Sequence, residues 1–308
     1  MVLPLALQAE MKISTSEQAV TITKNGKIVT EYRTDAKTPY LYPISTPTGP
    51  NLARHWPMSD DAAGEEKDHP HHRSFWMSHG SVNGHDFWAW TGKSSAHIQH
   101  RKVTNSQAKN DSASFTLSLQ WIANQEPLLD ETRHINIRDI DEKTRIIDTS
   151  STLTASQKDV VFGDTKEGFF ALRVDRTLRL TGPTAKGHIL NQQGQTDQAC
   201  WGQRSPWVAF HGPDESGQTV TIVLMDHQTN LRHPTWWHAR DYGLLAANPF
   251  GIHDFEKKKD KTLGDHTLKK GQSLTFQYRL LLFQGTPDQK NIDQFWTEFI
   301  KPSSTATP

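Results

Sequence analysis

Apolar and polar residues alternate along much of the chain in the two-residue period typical of β-strands. From Val20 to Tyr32 the alternation runs on both sides of Asn25-Gly26, a dipeptide that favours a two-residue hairpin turn. Further alternating or continuous apolar runs predict strands over residues 115–122, 131–138, 145–153, 169–174, 177–180, 220–226 and 274–283. The segment from Arg138 to Arg145 is short and polar, so the strands beside it are expected to pair as an antiparallel hairpin.

Helical periodicity is scarce by comparison, and the segment from Pro287 to Ile300 has its best example. Ile292, Phe295, Trp296 and Phe299 form one apolar stripe there, which predicts a short C-terminal helix. No composition break or linker divides the strands. The pattern therefore predicts an all-β fold, a single large antiparallel β-sandwich over residues 10–301 that ends in this helix.

The two ends of the chain differ from this pattern. Residues 1–9 (MVLPLALQA) are similar to the end of a signal peptide, and they predict a signal-peptide remnant and a periplasmic or extracellular location. The alternative is an irregular start before the first strand, in a cytoplasmic protein. Residues 302–308 are expected to be a disordered tail. No stretch approaches the ~18 apolar residues of a membrane span, so no membrane insertion is expected.

Composition excludes several classes of function. The 308 residues contain 34 Lys and Arg against 34 Asp and Glu, so no net charge attracts nucleic acid, and no nucleic-acid partner is expected. The single cysteine, Cys200, excludes an intrachain disulfide and any site built from several thiolates. Composition does not determine the oligomeric state.

Sixteen histidines and ten tryptophans carry most of the candidate chemistry. Many of them lie in two polar stretches, residues 68–88 and 226–242, that are too polar for core strands. Such segments on a rigid sandwich are where binding groups usually lie. A third stretch begins at Gly163, where Lys166 and Glu167 precede an apolar strand. A carboxylate beside an ammonium group can act as a base or nucleophile, and the alternative is a surface ion pair.

Taken together, these motifs resemble the PmoA-like family of bacterial proteins. The resemblance spans about residues 10 to 300. The residues that carry it are Asp68 to Arg73, Trp76, His79, Gly80, Asn83, Gly84 and Asp86 to Trp88; Asp164 to Gly168, Phe170 and Arg173; Trp201, Gly202, Arg204, Pro206 and Trp207; Asp226, His227, Asn230, Arg232, Pro234, Trp237, Arg240, Tyr242 and Gly243; and Asn248 to Gly251. The resemblance implies a galactose mutarotase-like supersandwich, a fold that holds sugar rings in loops over a concave sheet. This implication about sugars is one of fold alone.

The first functional hypothesis is a carbohydrate-active enzyme, a glycoside hydrolase, a lyase or an aldose-epimerase-like protein. Glu167 is its predicted base or nucleophile, and His71, His72 or His227 is its predicted proton donor. Indole rings and hydrogen-bonding side chains are predicted to hold the sugar. These predicted binding residues are Arg73, Trp76, His79, Asn83, Trp88, Lys166, Trp207, Asn230, Arg232, Trp237 and Arg240.

Two alternatives stay open. One is a glycan-binding protein without catalysis, which would use the same rings and arginines. The other is a divalent metal held by His69, His71 and His72, with His79 or Asp226 completing the shell; no other cofactor is expected. The catalytic hypothesis requires the segments near residues 70, 167 and 235 to converge over one face of the sandwich.

Overall fold

Two large antiparallel sheets form the molecule in the computed structural model, which describes residues 10–16, 19–59, 64–89 and 95–302. Strands are numbered along the chain. Sheet I contains, in spatial order, β1 (Met11–Thr15), β2 (Ala19–Lys24), β3 (Lys27–Arg33), β4 (Tyr40–Tyr42), β5 (Phe75–His79), β11 (Gly168–Arg173), β16 (Leu244–Asn248) and β15 (Trp236–Ala239). Sheet II contains β12 (His188–Asn191), β13 (Trp207–Pro213), β14 (Thr219–Asp226), β18 (Ser273–Gln284), β9 (Thr144–Thr154), β8 (Glu126–Asp139), β7 (Ser112–Ala123) and β6 (His97–Lys109).

The remaining elements are short. β10 (Val160–Phe162) and β17 (His266–Leu268) form a two-stranded antiparallel pair. Two α-helices are described, α1 (Ile252–Phe255) and α2 (Gln289–Phe299). The predicted all-β antiparallel sandwich with a C-terminal helix is therefore confirmed. No helix among the described residues is long and apolar enough to cross a bilayer.

The predicted turn at Asn25-Gly26 is confirmed. Lys24 pairs with Lys27 across it, and the φ angles of Asn25 and Gly26 are 53° and 75°. Positive φ at both central residues matches the twist of the flanking strands, which is why this dipeptide is favoured there. The hairpin predicted around residues 138–145 also forms, with Asp139 paired to Arg145.

One predicted strand, over residues 177–180, is wrong. Arg176–Leu178 form a single 3-10 turn instead, and Asp175 caps it by accepting a hydrogen bond from the Thr177 backbone N–H at 2.9 Å. An aspartate before a turn satisfies a backbone N–H locally, so the chain does not continue as a strand.

The main core lies between the sheets. It includes Phe75, Met77 and Leu172 from sheet I and Phe115 and Ile135 from sheet II. α2 covers part of the outer face of sheet II: Ile292 is fully buried, in the same cluster as Trp207 and Leu281.

The outer face of sheet I is buried as well, mostly by loop segments, and the short α1 lies at its edge, where the ring of Phe255 is 6.1 Å from that of His238. Tyr40, Trp76, Ala171 and Ala246 cluster there with Trp88, from the segment that follows β5. The first polar motif stretch and the end of the second, from Trp236 onward, thus lie in or next to sheet I, whereas the second stretch begins at Asp226 in β14 of sheet II. The predicted signal-peptide remnant, residues 1–9, lies outside the described residues, as does the predicted tail except Pro302.

Candidate functional site

A row of side chains across the outer face of sheet I forms the floor of the candidate site. The cross-strand register aligns Trp76 with Ala171, Ala171 with Ala246, and Ala246 with His238. Since neighbouring strands lie about 4.8 Å apart, Trp76 and His238 face each other across roughly 14 Å, with two small side chains between them. The two alanines make the side-chain layer lower here than at the rings on either side, and this part of the face is called the trough; the covering segments bury both alanines completely.

Residues two positions away along each strand lie on the same face. On one side of the trough these are Ser74, Arg173, Leu244 and Arg240. On the other side are Ser78, Asn248 and Trp236, with Asn248 donating a hydrogen bond to the Thr165 carbonyl at 2.9 Å.

An ion-pair network anchors the histidine-rich segment to this face. Asp68 accepts hydrogen bonds from Arg54 at 2.7 Å, from Arg173 at 3.2 Å and from His69 at 2.5 Å. Arg54 also donates to the carbonyl oxygens of His69 and His72. Burial alone would raise the pKa of Asp68, but the hydrogen bond from His69 and the two guanidinium groups hold it well below its usual value.

A sharp turn places the three histidines together. His69 has a φ of 44°, and its carbonyl accepts a hydrogen bond from the His72 N–H at 2.9 Å. The ring of His72 lies 4.7 Å from that of His69 and 4.4 Å from that of His71, centroid to centroid. Because the backbone turns here, the adjacent His71 and His72 do not point to opposite sides as they would in a strand.

The histidine rings continue into a larger aromatic group. Tyr242 stacks on His69 at 5.2 Å, and His72 stacks on Trp76 at 5.3 Å. The indole of Trp88 lies edge-on to His72 at 5.6 Å. The polar motif stretches therefore supply a continuous aromatic cover for one end of the trough.

The hydrogen bonds of His72 fix its protonation. Its Nδ1 lies 2.9 Å from Nη1 of Arg173, which can only donate, so the neutral ring carries its proton on Nε2. Burial, followed by the nearby charges of His71 and Arg173, lowers the pKa of His72 well below 6.5. Burial and the positive charges of His69 and Arg54 lower the pKa of His71 to about 4. Both imidazoles are therefore uncharged at neutral pH.

The loop before β11 brings Glu167 to the same face. Its carbonyl accepts a hydrogen bond from the Gly80 N–H at 2.7 Å, and Nζ of Lys166 lies 3.5 Å from its carboxylate. A Cβ on Gly80 would lie 2.9 Å from that of Glu167, so the close approach requires glycine. Burial raises the pKa of Tyr242, the charges of Arg173 and Arg240 oppose that increase, and the negative charge of Glu167 adds to it, so the carboxylate interacts electrostatically with the aromatic group.

His238 joins the Glu167 loop to the floor. Its Nδ1 donates to the Lys166 carbonyl at 3.0 Å, so Nε2 carries the lone pair. Burial and the charge of Arg240 lower the pKa of His238 to about 3, and the ring stays neutral.

Several buried polar atoms of this face have no hydrogen-bond partner among the residues that the structure describes. They are Nε2 of His72, Nε1 of Trp76, Oγ of Ser78, Nε1 of Trp88, Nε1 of Trp201 and Nε2 of His238. Buried polar groups in proteins are nearly always satisfied, by protein, by water or by a ligand. This concentration of donors and acceptors marks the outer face of sheet I as the candidate site.

About half of the residues predicted from the sequence come together here. They are His71, His72, Arg73, Trp76, Trp88, Lys166, Glu167 and Arg240. The segments near residues 70, 167 and 235 thus meet on one side of one sheet.

The other predicted residues lie elsewhere. His227, on which Phe299 of α2 packs, and Trp207, whose indole N–H donates to Asp293, lie with α2 beside sheet II. His79 and Trp237 lie inside the sandwich, where His79 contacts Phe250 and Trp237 donates to the Ser205 carbonyl.

Three predicted binding residues hold the chain itself. Asn83 accepts a hydrogen bond from the Val161 N–H. Asn230 bonds to Asp226 and to the backbone of Gln277, and Arg232 donates to three backbone carbonyls. The polar atoms of these three residues are engaged in these contacts. The proposed site therefore excludes them, as it excludes the four residues that lie beside sheet II or inside the sandwich.

Sequence reasoning missed Tyr40, Ser78, Trp201, His238 and Tyr242 as members of the site. Strand alternation could have found one of them. His238 lies two residues before the predicted Arg240 and so on the same face of the sheet, whereas the predicted Trp237 lies on the opposite face.

A separate open cleft of about 800 Å³ lies along the β2–β3 and β8–β9 turns. Several of its charged groups are paired with one another: Lys24 contacts Asp111 and Asp139, and Arg145 contacts Asp139. Because these charges are already satisfied, the cleft is a weaker candidate than the outer face of sheet I.

Comparisons with known proteins identify a family. The GalM/aldose epimerase homologue from C. elegans matches with 8% identity and a TM-score of 0.35, and a putative aldose 1-epimerase from Escherichia coli K12 with 11% and 0.31. Each match covers 90% of this chain and 100% of the other, and similarity at this level assigns no activity. No curated protein matches the sequence. The resemblance to PmoA-like proteins is not confirmed; a model described as "Family of unknown function (DUF6807)" matches residues 19–297, and the chain belongs to that family.

Proposed function

We propose that this protein is carbohydrate-active and binds a sugar ring on the outer face of sheet I. The observation that carries the proposal is the set of unpartnered polar atoms beside aromatic rings, over a floor of alanines. Both indole N–H groups of Trp76 and Trp88 belong to this set.

A sugar matches this set in two ways. Its hydroxyl groups both donate and accept, so they can take hydrogen bonds from the indoles and from Nε2 of His72 while donating to Nε2 of His238. Its apolar C–H faces pack against aromatic rings such as Trp76 and Tyr242. Flat aromatic ligands would use the rings but leave most of the polar atoms unsatisfied.

Glu167 is the proposed base or nucleophile. Its side chain is 37% exposed at the edge of the face, beside Lys166, and so can reach a ligand on the floor. An ionised carboxylate there can take a proton from a ring carbon or hydroxyl, or attack an anomeric carbon.

The proposed proton donor differs from the one predicted by sequence. His71 and His72 are uncharged near pH 7 and therefore cannot act as imidazolium acids, and His227 lies beside sheet II. Tyr242 lies near Glu167, and its raised pKa keeps the hydroxyl protonated. A phenol of this kind can protonate a strongly basic oxygen such as a departing alkoxide.

Glycan binding without catalysis is the second candidate. The low pKa values of His71, His72 and His238 favour it, because neutral imidazoles serve well as hydrogen-bonding groups for hydroxyls.

A Glu167→Gln variant separates the two candidates. A panel of neutral sugars, uronic acids and oligosaccharides is first screened by thermal shift, since any ligand of the native state raises the melting temperature. Sugars that bind are then tested for turnover by NMR. For an enzyme, Glu167→Gln is expected to reduce turnover at least about 100-fold while the dissociation constant changes little.

Glu126→Gln is the matched control, because Glu126 forms an ion pair with Lys158 on another surface. It is expected to leave both binding and turnover unchanged. Binding without turnover in the wild type supports the second candidate. No thermal shift with any sugar would contradict the proposal.

A further inference from the structure

We propose that His55, Asp175 and Glu215 form a divalent-cation site, separate from the sugar-binding face. His55 lies between β4 and β5, Asp175 follows β11, and Glu215 lies in the turn between β13 and β14. The fold thus brings three distant segments together at this point.

The ligand atoms are spaced as a metal requires. One atom from each residue lies within 4.8 Å of the others, and Nε2 of His55 is 3.8 Å from Oε2 of Glu215. Ligands bonded at about 2.0–2.2 Å lie roughly 3 to 4 Å apart from one another. The Glu215 side chain is 34% exposed, so rotation of this side chain can close the remaining difference.

Asp175 gives independent evidence for a ligand. The residue is 1% exposed, and its Oδ1 accepts hydrogen bonds from the Thr177 backbone and hydroxyl at 2.9 Å each. Its Oδ2 is buried and has no hydrogen-bond partner within the described part of the chain. An unpaired buried carboxylate oxygen is costly, and a bound cation would satisfy it.

His55 is oriented as a ligand. Its Nδ1 lies 3.0 Å from the hydroxyl of Tyr42 and can donate to it, which leaves the lone pair on Nε2, the atom near Glu215. Metal-binding histidines usually donate their other ring N–H to such a partner. The backbone N–H of His55 donates a hydrogen bond to the Glu65 carboxylate at 3.0 Å.

The donor set indicates the class of cation. One imidazole and two carboxylates suit first-row divalent ions such as Zn²⁺ better than Ca²⁺ or Mg²⁺, which prefer oxygen ligands alone. Arg176 pairs with Oε1 of Glu215 at 3.0 Å and leaves Oε2 available. The carboxylates of Asp175 and Glu215 outnumber the single guanidinium of Arg176 that pairs with them, and a divalent ion would compensate the remaining negative charge.

The histidines predicted to hold a metal from sequence are arranged differently. Nδ1 of His69 is bonded to Asp68, and Nδ1 of His72 accepts from Arg173. Within the described ranges, the set of three ligand atoms that converges is the one at His55.

Titration of the chelator-treated full-length protein with ZnCl₂ tests the site by calorimetry. We expect one high-affinity site in the wild type. Asp175→Asn keeps the oxygen that caps Thr177 but removes the charge, so it should weaken zinc binding at least tenfold without lowering the metal-free melting temperature. His55→Gln is expected to have a similar effect on zinc affinity. Tyr42→Phe removes the hydrogen-bond partner of His55 and should lower zinc affinity about tenfold.

His71→Gln is the control and should leave zinc affinity unchanged. The proposal is overturned if the wild type binds no zinc, or if Asp175→Asn and His55→Gln bind it as the wild type does. Loss of binding in His71→Gln would instead locate the metal at the predicted cluster of His69, His71 and His72. None of these outcomes depends on sugar binding.

Discussion

Several histidines of this protein are buried without charge. Burial lowers the pKa of His71 and His79 to about 4 and that of His238 to about 3. Composition alone indicated titratable chemistry near neutral pH, because an exposed histidine has a pKa near 6.5. Desolvation and the surrounding guanidinium groups, which depend on the fold, change that role to hydrogen bonding.

This burial predicts a loss of stability in mild acid. The pKa values of these histidines are lower in the folded state than in the unfolded chain. Between pH 6.5 and 4 the unfolded chain therefore binds more protons, and the free energy of unfolding decreases as the pH falls. For His238 the loss is about 2 kcal/mol at pH 5. Urea unfolding at pH 7.5 and pH 5 should show a smaller difference in His238→Gln than in the wild type. Equal pH dependence in the two proteins would refute this assignment.

The alternation of side chains along a strand could also have been used to interpret the sequence of β8. Ile135 and Ile137 of β8 point into the core, and strand parity therefore directs Arg133 and Glu131 inward as well. The structure has these two buried side chains paired at 2.6 Å, with Trp121 donating to Glu131. Parity gives the direction of these side chains, but it does not give the further partners of Glu131, which are Trp121 of β7 and Ser151 of β9.

At the scale of elements, strands with clear alternation were predictable and polar ones were not. β7, β8, β9, β14 and β18 contain the runs predicted at their positions. β6 was missed because its 13 residues are mostly polar and exposed, as suits an edge strand with two shifts in register. The short strands β4, β5, β15 and β16 were missed because both of their faces are buried and no alternation results.

The C-terminal helix α2 was predictable from its apolar stripe, and it yields a prediction of its own. Ile292 is fully buried against sheet II, so Ile292→Ala should destabilise the protein by about 2–5 kcal/mol, measured by urea unfolding. Lys290→Ala, on the exposed side of α2, should have little effect.

The same variant tests the separation of the two faces. Because α2 lies on sheet II and the proposed site on sheet I, Ile292→Ala should keep the wild-type affinity for any sugar that binds. A large loss of affinity in a still-folded Ile292→Ala protein would link α2 to the site and contradict the proposed arrangement.

At the scale of the whole molecule, the inner faces of the two sheets form the core, and parts of both outer faces are covered. α2 covers sheet II around β13, β14 and β18 but leaves Thr132 and His134 of β8 exposed, and polar, aromatic-rich segments cover the centre of sheet I. The sequence predicted that the segments near residues 70, 167 and 235 would converge, and they do. It could not predict which residues of each segment face the trough, since that depends on cross-strand register and on the turn at His69.

Binding of a sugar on the outer face of sheet I is the central proposal for this protein. Indole ¹⁵N–¹H NMR tests it directly, with signals assigned by single Trp→Phe variants and spectra recorded with and without a sugar found in the thermal-shift screen. The indole N–H groups of Trp121 and Trp207 already donate to Glu131 and Asp293, each at 2.8 Å. We predict that saturating sugar shifts the signals of Trp76 and Trp88 and leaves those of Trp121 and Trp207 in place; a sugar that binds but moves neither Trp76 nor Trp88 would contradict the claim.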